Sequence, residues 1–189
     1  GIIDAGIELN HPDFLDSLGR TRVVSLWDQT IDTSNQYYDP LRVPQPFGYG
    51  QVWDSSDING GYHHHVEQYN YYGHGSHVSG IASGDGSSDS LDFKGMAPKA
   101  NLIVVSSDFK VSGWLSTVAD AVLYIFNKAD EMGKPCVINI SAGTYRGSHD
   151  GKDLSAQAIN NLVTQKSGRA VVCAAGNAGQ KPPFHLRTS

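Results

Sequence analysis

The chain has 189 residues, the size of one domain, and 39% of them are hydrophobic, enough to build a core. Lys and Arg number 14 against 19 Asp and Glu, so the net charge is −5 and no basic excess points to a nucleic-acid partner. No apolar run approaches the roughly 20 residues of a membrane span, and two cysteines, Cys136 and Cys173, are too few for a disulfide framework. Both cysteines sit in apolar runs and read as buried thiols. No basic-apolar leader stands at the start, and Gly1 reads as lying inside a strand.

Gly1–Asp4 (GIID) is the first predicted strand. Leu15 to Tyr72 then holds seven of the nine tyrosines and two of the three tryptophans, with Pro40, Pro44 and Pro46 crowded into its middle. That composition predicts an irregular insert, with one strand at Arg22–Gln29 and the rest loop and hairpin. Its aromatic residues read as a small satellite core rather than a binding surface. A helix opens at Gly73-His74-Gly75-Ser76-His77, and the apolar run Asn101–Ser106 (NLIVVS) is the next strand.

Leu115, Val118, Ala119, Val122, Leu123 and Phe126 recur at helical spacing, with Ser116 as the expected N-cap and Gly133 and Pro135 as the stop. Cys136–Ser141 (CVINIS) is a third strand of the same type. Leu154, Ala158, Ile159, Leu162 and Val163 mark another helix, closed by Gly168, before the strand Ala170–Ala175 (AVVCAA). Val- and Ile-rich strands alternating with helices predict an α/β fold: a doubly wound, mostly parallel sheet with helices on both faces.

In open α/β sheets the chemistry gathers beyond the carboxyl ends of the strands. The strand ends supply Asp4-Ala5-Gly6, Ser141-Ala142-Gly143 and Ala175-Gly176-Asn177, and a helix start supplies His74. An acid, an imidazole, a small-residue platform and a carboxamide are parts of an acyl-transfer site that lacks only a nucleophile.

The segments GIIDAGIELNHPDF, GHGSHVSGIASG, GMAPKANLIVV, VINISAG and VVCAAGN, in this order, resemble the subtilisin-like serine peptidases, the subtilases. Trp27-Asp28-Gln29-Thr30 and the stretch Phe47–Asn59 resemble an insert of one bacterial group of that family. The resemblance implies a secreted bacterial serine endopeptidase working on peptide or protein substrates. It makes Asp4 the triad acid, His74 the general base and Asn177 the oxyanion donor. Ser112, Gly113 and Trp114, with Ser141, Ala142 and Gly143, would hold an extended peptide, and Ala175 and Gly176 would line the first specificity pocket. Gly73 and Gly75 would leave room for substrate backbone beside the imidazole.

The family's nucleophile motif, Gly-Thr-Ser-x-Ala, does not occur, and Ser189 follows Arg187-Thr188 instead. The resemblance therefore implies that residues 1–189 are part of a catalytic domain, with an insert at about 15–72 and a C-terminal remainder as partner. Such a part alone is expected to be inactive, with some apolar surface uncovered.

No cofactor is expected for the chemistry. Structural calcium is conceivable at Asp13, or at the Asp85, Asp89 and Asp92 loop, which otherwise reads as flexible and acidic. His74 and His77 share a helix face without a suitably spaced third metal ligand. His63-His64-His65 reads as a solvated loop, because neighbouring residues of an extended chain point opposite ways. Two other functions compete with the peptidase. One is a non-catalytic subtilase-like protein that binds peptides or partners. The other is a nucleotide-binding domain, for which Asp4-Ala5-Gly6-Ile7 lacks the glycine-rich loop.

Overall fold

A computed structural model describes residues 1–90, 93–145 and 147–177. In chain order the elements are β1 (Ile2–Asp4), β2 (Val23–Asp28), β3 (Gln51–Asp54), α1 (Ser55–Asn59), α2 (His74–Ser83), β4 (Leu102–Ser106), α3 (Trp114–Glu131), β5 (Cys136–Ile140), α4 (Leu154–Thr164) and β6 (Arg169–Cys173). The strands form one six-stranded sheet in the order β3-β2-β4-β1-β5-β6. Every pairing is parallel except that of β3 with β2 at one edge.

The central strands are buried on both faces, which explains their unbroken apolar sequences. In β4, Ile103 and Val105 pack with Ile3, Val118, Val122 and Ile125 in a core beneath α3. Leu102 and Val104 point the other way and pack with Ile2, Phe14, Leu26 and Trp53, where Ala82 of α2 also rests. The alternation follows from the two-residue period of a strand. The expected doubly wound α/β sheet is the observed architecture.

Several local expectations need correction. The insert contains a second strand, β3, which pairs Trp53 with Leu26 and Val52 with Trp27. Its aromatic residues form no satellite: Trp27, Phe47 and Tyr49 meet Tyr124 of α3 in one main cluster, and Trp53 joins the other. Helix α3 starts at Trp114, two residues before Ser116, and is capped by Gly113 with no side-chain cap bond. Its buried face is Val118, Ala121, Val122, Ile125, Phe126 and Ala129, while Leu115, Ala119 and Leu123 stay half-buried. In α4, Leu154 and Ala158 are exposed, and Ile159, Leu162 and Val163 make the contact with the core. Cys136 is buried as expected, but Cys173 at the end of β6 is exposed.

The register places the carboxyl ends side by side. Asp28 stands opposite Ser106, and Ser106 opposite Asp4, so two buried aspartates flank one serine along a single sheet edge.

Candidate active site

Asp4 is the last residue of β1 and is buried, with its backbone carbonyl accepting the Ser107 N–H at 2.8 Å. Its Oδ1 accepts the N–H of Ala5 at 2.7 Å and lies 2.8 Å from Nδ1 of His74. A carboxylate offers only acceptors, so Nδ1 carries the proton and donates it. That tautomer leaves Nε2 with a lone pair. The His74 side chain is 47% exposed while that of Asp4 is 2% exposed, so an exposed imidazole is held by a buried acid. Asp4 Oδ2 is buried without a hydrogen-bond partner among the described residues.

His74 is the first residue of α2, and two glycines around it do different jobs. Gly73 takes φ +75°, a left-handed conformation that turns the chain into the helix. Gly75 is buried, and a Cβ there would stand 2.0 Å from the Gly6 carbonyl oxygen. The missing side chain therefore seats α2 on the loop after β1. This corrects the expectation that Gly75 makes room for substrate.

A cleft of about 690 Å³ opens at this edge, lined by Asp4 and His74 at its floor. One wall is the segment after β4, with Phe109, Val111, Ser112 and Trp114; the facing wall is Ser141, Ala142, Gly143 and Thr144 after β5. Tyr71 and Tyr72 border the same space, and Tyr71, Phe109 and Trp114 meet edge to face at 5.3 and 5.6 Å. Gly113 caps α3 between two of the lining residues. Ala175, Gly176 and Asn177 are exposed after β6, on the edge where Ala174 N–H bonds the Ile140 carbonyl, but they do not line the cleft. Thus Asp4, His74, Ser112, Trp114, Ser141, Ala142 and Gly143 line one cleft, and Asn177 follows β6 at the same sheet edge.

Residues 65–68 pack against the loop after β1, the segment after β4 and the start of α2, where a solvated loop was expected at His65. His65 is buried, not solvated. Its Nδ1 lies 2.5 Å from Asp28 Oδ2, and its Nε2 lies 3.3 Å from the Ile7 N–H. Thr30 donates to the other oxygen of Asp28 through both its N–H and its hydroxyl. Glu67 binds Ser76, and Gln68 binds both Ala5 and Ser107. No local signal marked these residues, because each partner is distant in sequence. The tyrosine-rich stretch before Gly73 was the only hint that the cleft border lies there.

Among the described residues no group of three or more His, Cys, Asp or Glu side chains is placed to hold a metal ion. Asp13 Oδ1 accepts the Ser88 N–H at 2.8 Å, and Asp85 Oδ1 accepts the Ser87 N–H at 2.9 Å. Asp92 and Arg187, Thr188 and Ser189 lie outside the described residues. No described helix is long and apolar enough to cross a membrane.

Comparison with known proteins gives a consistent picture. Residues 1–186 match the family model described as the Subtilase family. A thermophilic serine proteinase of Bacillus sp. (strain AK1) is 30% identical over 186 residues, 97% of this chain and 34% of that protein. Thermitase of Thermoactinomyces vulgaris is 32% identical over 183 residues, 96% of this chain and 48% of that protein. The solved structure of the Clostridium perfringens CspB protease superposes with a TM-score of 0.74 at 29% identity, covering 95% of this chain and 35% of that one. The chain thus spans between a third and a half of the lengths of these relatives. With the match running over nearly all of its residues, this chain belongs to the subtilase family.

Proposed function

We propose that the protein containing this chain is a serine endopeptidase in which Asp4 orients His74, His74 acts as general base, and Asn177 donates to the oxyanion. The observation that carries this reading is the 2.8 Å contact between the His74 Nδ1 and the buried Asp4 carboxylate, at the floor of the cleft. Nε2 is then the atom that takes a proton from an attacking hydroxyl and returns it to the leaving amine. Asp4 stabilises the imidazolium formed between those steps. A peptide would lie extended between Ser112–Trp114 and Ser141–Gly143, with Ala175 and Gly176 at its first pocket. Residues 1–189 contain no Gly-Thr-Ser-x-Ala motif, and this reading takes the hydroxyl nucleophile from another segment of the protein. Residues 1–189 alone are inactive in this account. Secretion belongs to the same reading on the resemblance alone.

The test is hydrolysis of a peptide amide by the full-length protein. Asp4→Asn is expected to lower kcat about 10⁴-fold by forcing the wrong tautomer. Asn177→Ala is expected to lower it about 10²–10³-fold. A folded full-length protein that binds peptide without cleaving it contradicts the proposal. The absent motif gives that second reading, a non-catalytic peptide-binding subtilase, its one observation in favour.

A further inference from the structure

The helix that carries His74 lacks a cap of its own. Its N-cap is Gly73, which has no side chain to satisfy the first backbone N–H groups. That role is filled from nine residues upstream. Glu67 Oε1 accepts the Ser76 N–H at 2.9 Å, and Oε2 accepts the Ser76 hydroxyl at 2.5 Å. The same hydroxyl accepts the Glu8 N–H at 2.7 Å, which ties the clamp to the loop leaving Asp4. Gln68 completes the tie through Ala5 O and Ser107 O.

The geometry points to Glu67 as a positioning residue for His74: it caps α2 in place of Gly73 and sets the imidazole against Asp4. Glu67 touches neither the imidazole nor the cleft, so its effect runs through Ser76, two residues beyond His74. A carboxylate is suited to the task, since it accepts two donors at once and favours a helix N-terminus. The consequence for turnover rests on the peptidase reading above; the consequence for the position of His74 does not.

The experiment uses the full-length protein with Glu67→Ala, Glu67→Gln and Glu67→Asp. Turnover of a peptide amide is measured beside the downfield NMR signal of the His74 Nδ1 proton, identified by its loss in His74→Ala. Glu67→Ala is expected to lower kcat about tenfold with KM within about twofold, and to lose the signal. Glu67→Gln keeps an acceptor for the Ser76 N–H and restores both toward wild type. Glu67→Asp keeps the charge but falls one methylene short, so it behaves as Glu67→Ala does and decides the matter if that variant does not fold. Arg42→Ala, which breaks the remote Arg42–Asp57 pair, serves as a stability control that leaves both readouts unchanged. An intact signal in Glu67→Ala, or in Glu67→Asp if that is the variant that folds, overturns the proposal. A folded wild-type protein that shows the signal but no turnover sinks the peptidase reading, while loss of the signal in its Glu67→Ala variant leaves the positioning role standing.

Discussion

Adding one methyl group at Gly75 tests how the fold sets the catalytic distance. A Cβ there would lie 2.0 Å from the Gly6 carbonyl oxygen, whereas real Cβ contacts essentially never fall below 3.0 Å. The obstacle is backbone on both sides, so α2 must retreat by about 1 Å. His74 is the adjacent residue, and a retreat of that size would stretch its 2.8 Å bond to Asp4 to about 3.8 Å, beyond hydrogen-bonding range. Overpacking costs about 1–3 kcal/mol, and replacing glycine by alanine within a helix returns up to about 1 kcal/mol. The net loss of up to about 2 kcal/mol corresponds to a Tm fall of at most roughly 8 °C, and less in a longer full-length protein. Activity falls much further, about 10²-fold, because a displaced base is penalised more steeply than the fold is. Thermal melting and peptide hydrolysis by Gly75→Ala in the full-length protein measure both. Turnover within about twofold of wild type would refute the reasoning.

Other changes have separate signatures. Trp27 is fully buried against Phe47, Tyr49 and Tyr124, so Trp27→Ala is expected to cost about 3–5 kcal/mol and lower Tm by about 10 °C or more. Differential scanning calorimetry checks it. Burial holds His63 below its ordinary value of 6.5. The unfolded chain therefore binds the proton more readily than the folded one. Stability from this group is present above about pH 6.5 and is lost as pH falls toward the folded value. His63→Gln should flatten the decline of Tm in that window, and an unchanged slope would contradict it.

The sheet was largely legible because β1 and β4 are buried on both faces and announce themselves as apolar runs, and β5 carries the same kind of run although Val137 on one of its faces is exposed. β3 was hidden: Gln51–Asp54 is short, sits among glycines and prolines, and makes sense only once Trp53 is opposite Leu26. The stripe of α3 came out rotated because the helix is apolar around much of its girth. Both Leu115-Val118-Ala119 and Val118-Ala121-Val122 satisfy helical spacing, and only the sheet selects between them. Asp4 and His74 were readable because their flanking residues are distinctive. His65 was not, since its partner Asp28 lies 37 positions away and neither residue carries a local sign of the contact. Glu67 escaped for the same reason, its role arising from a missing cap that only the helix boundary exposes.

The central claim, that Asp4 and His74 form the acid–base pair of a serine peptidase, is tested most directly by a fluorophosphonate probe on the folded full-length protein. The account predicts covalent labelling of one serine that disappears in His74→Ala, because the base no longer activates the hydroxyl. A folded wild-type protein that takes up no label, or one that labels equally well without His74, would contradict it.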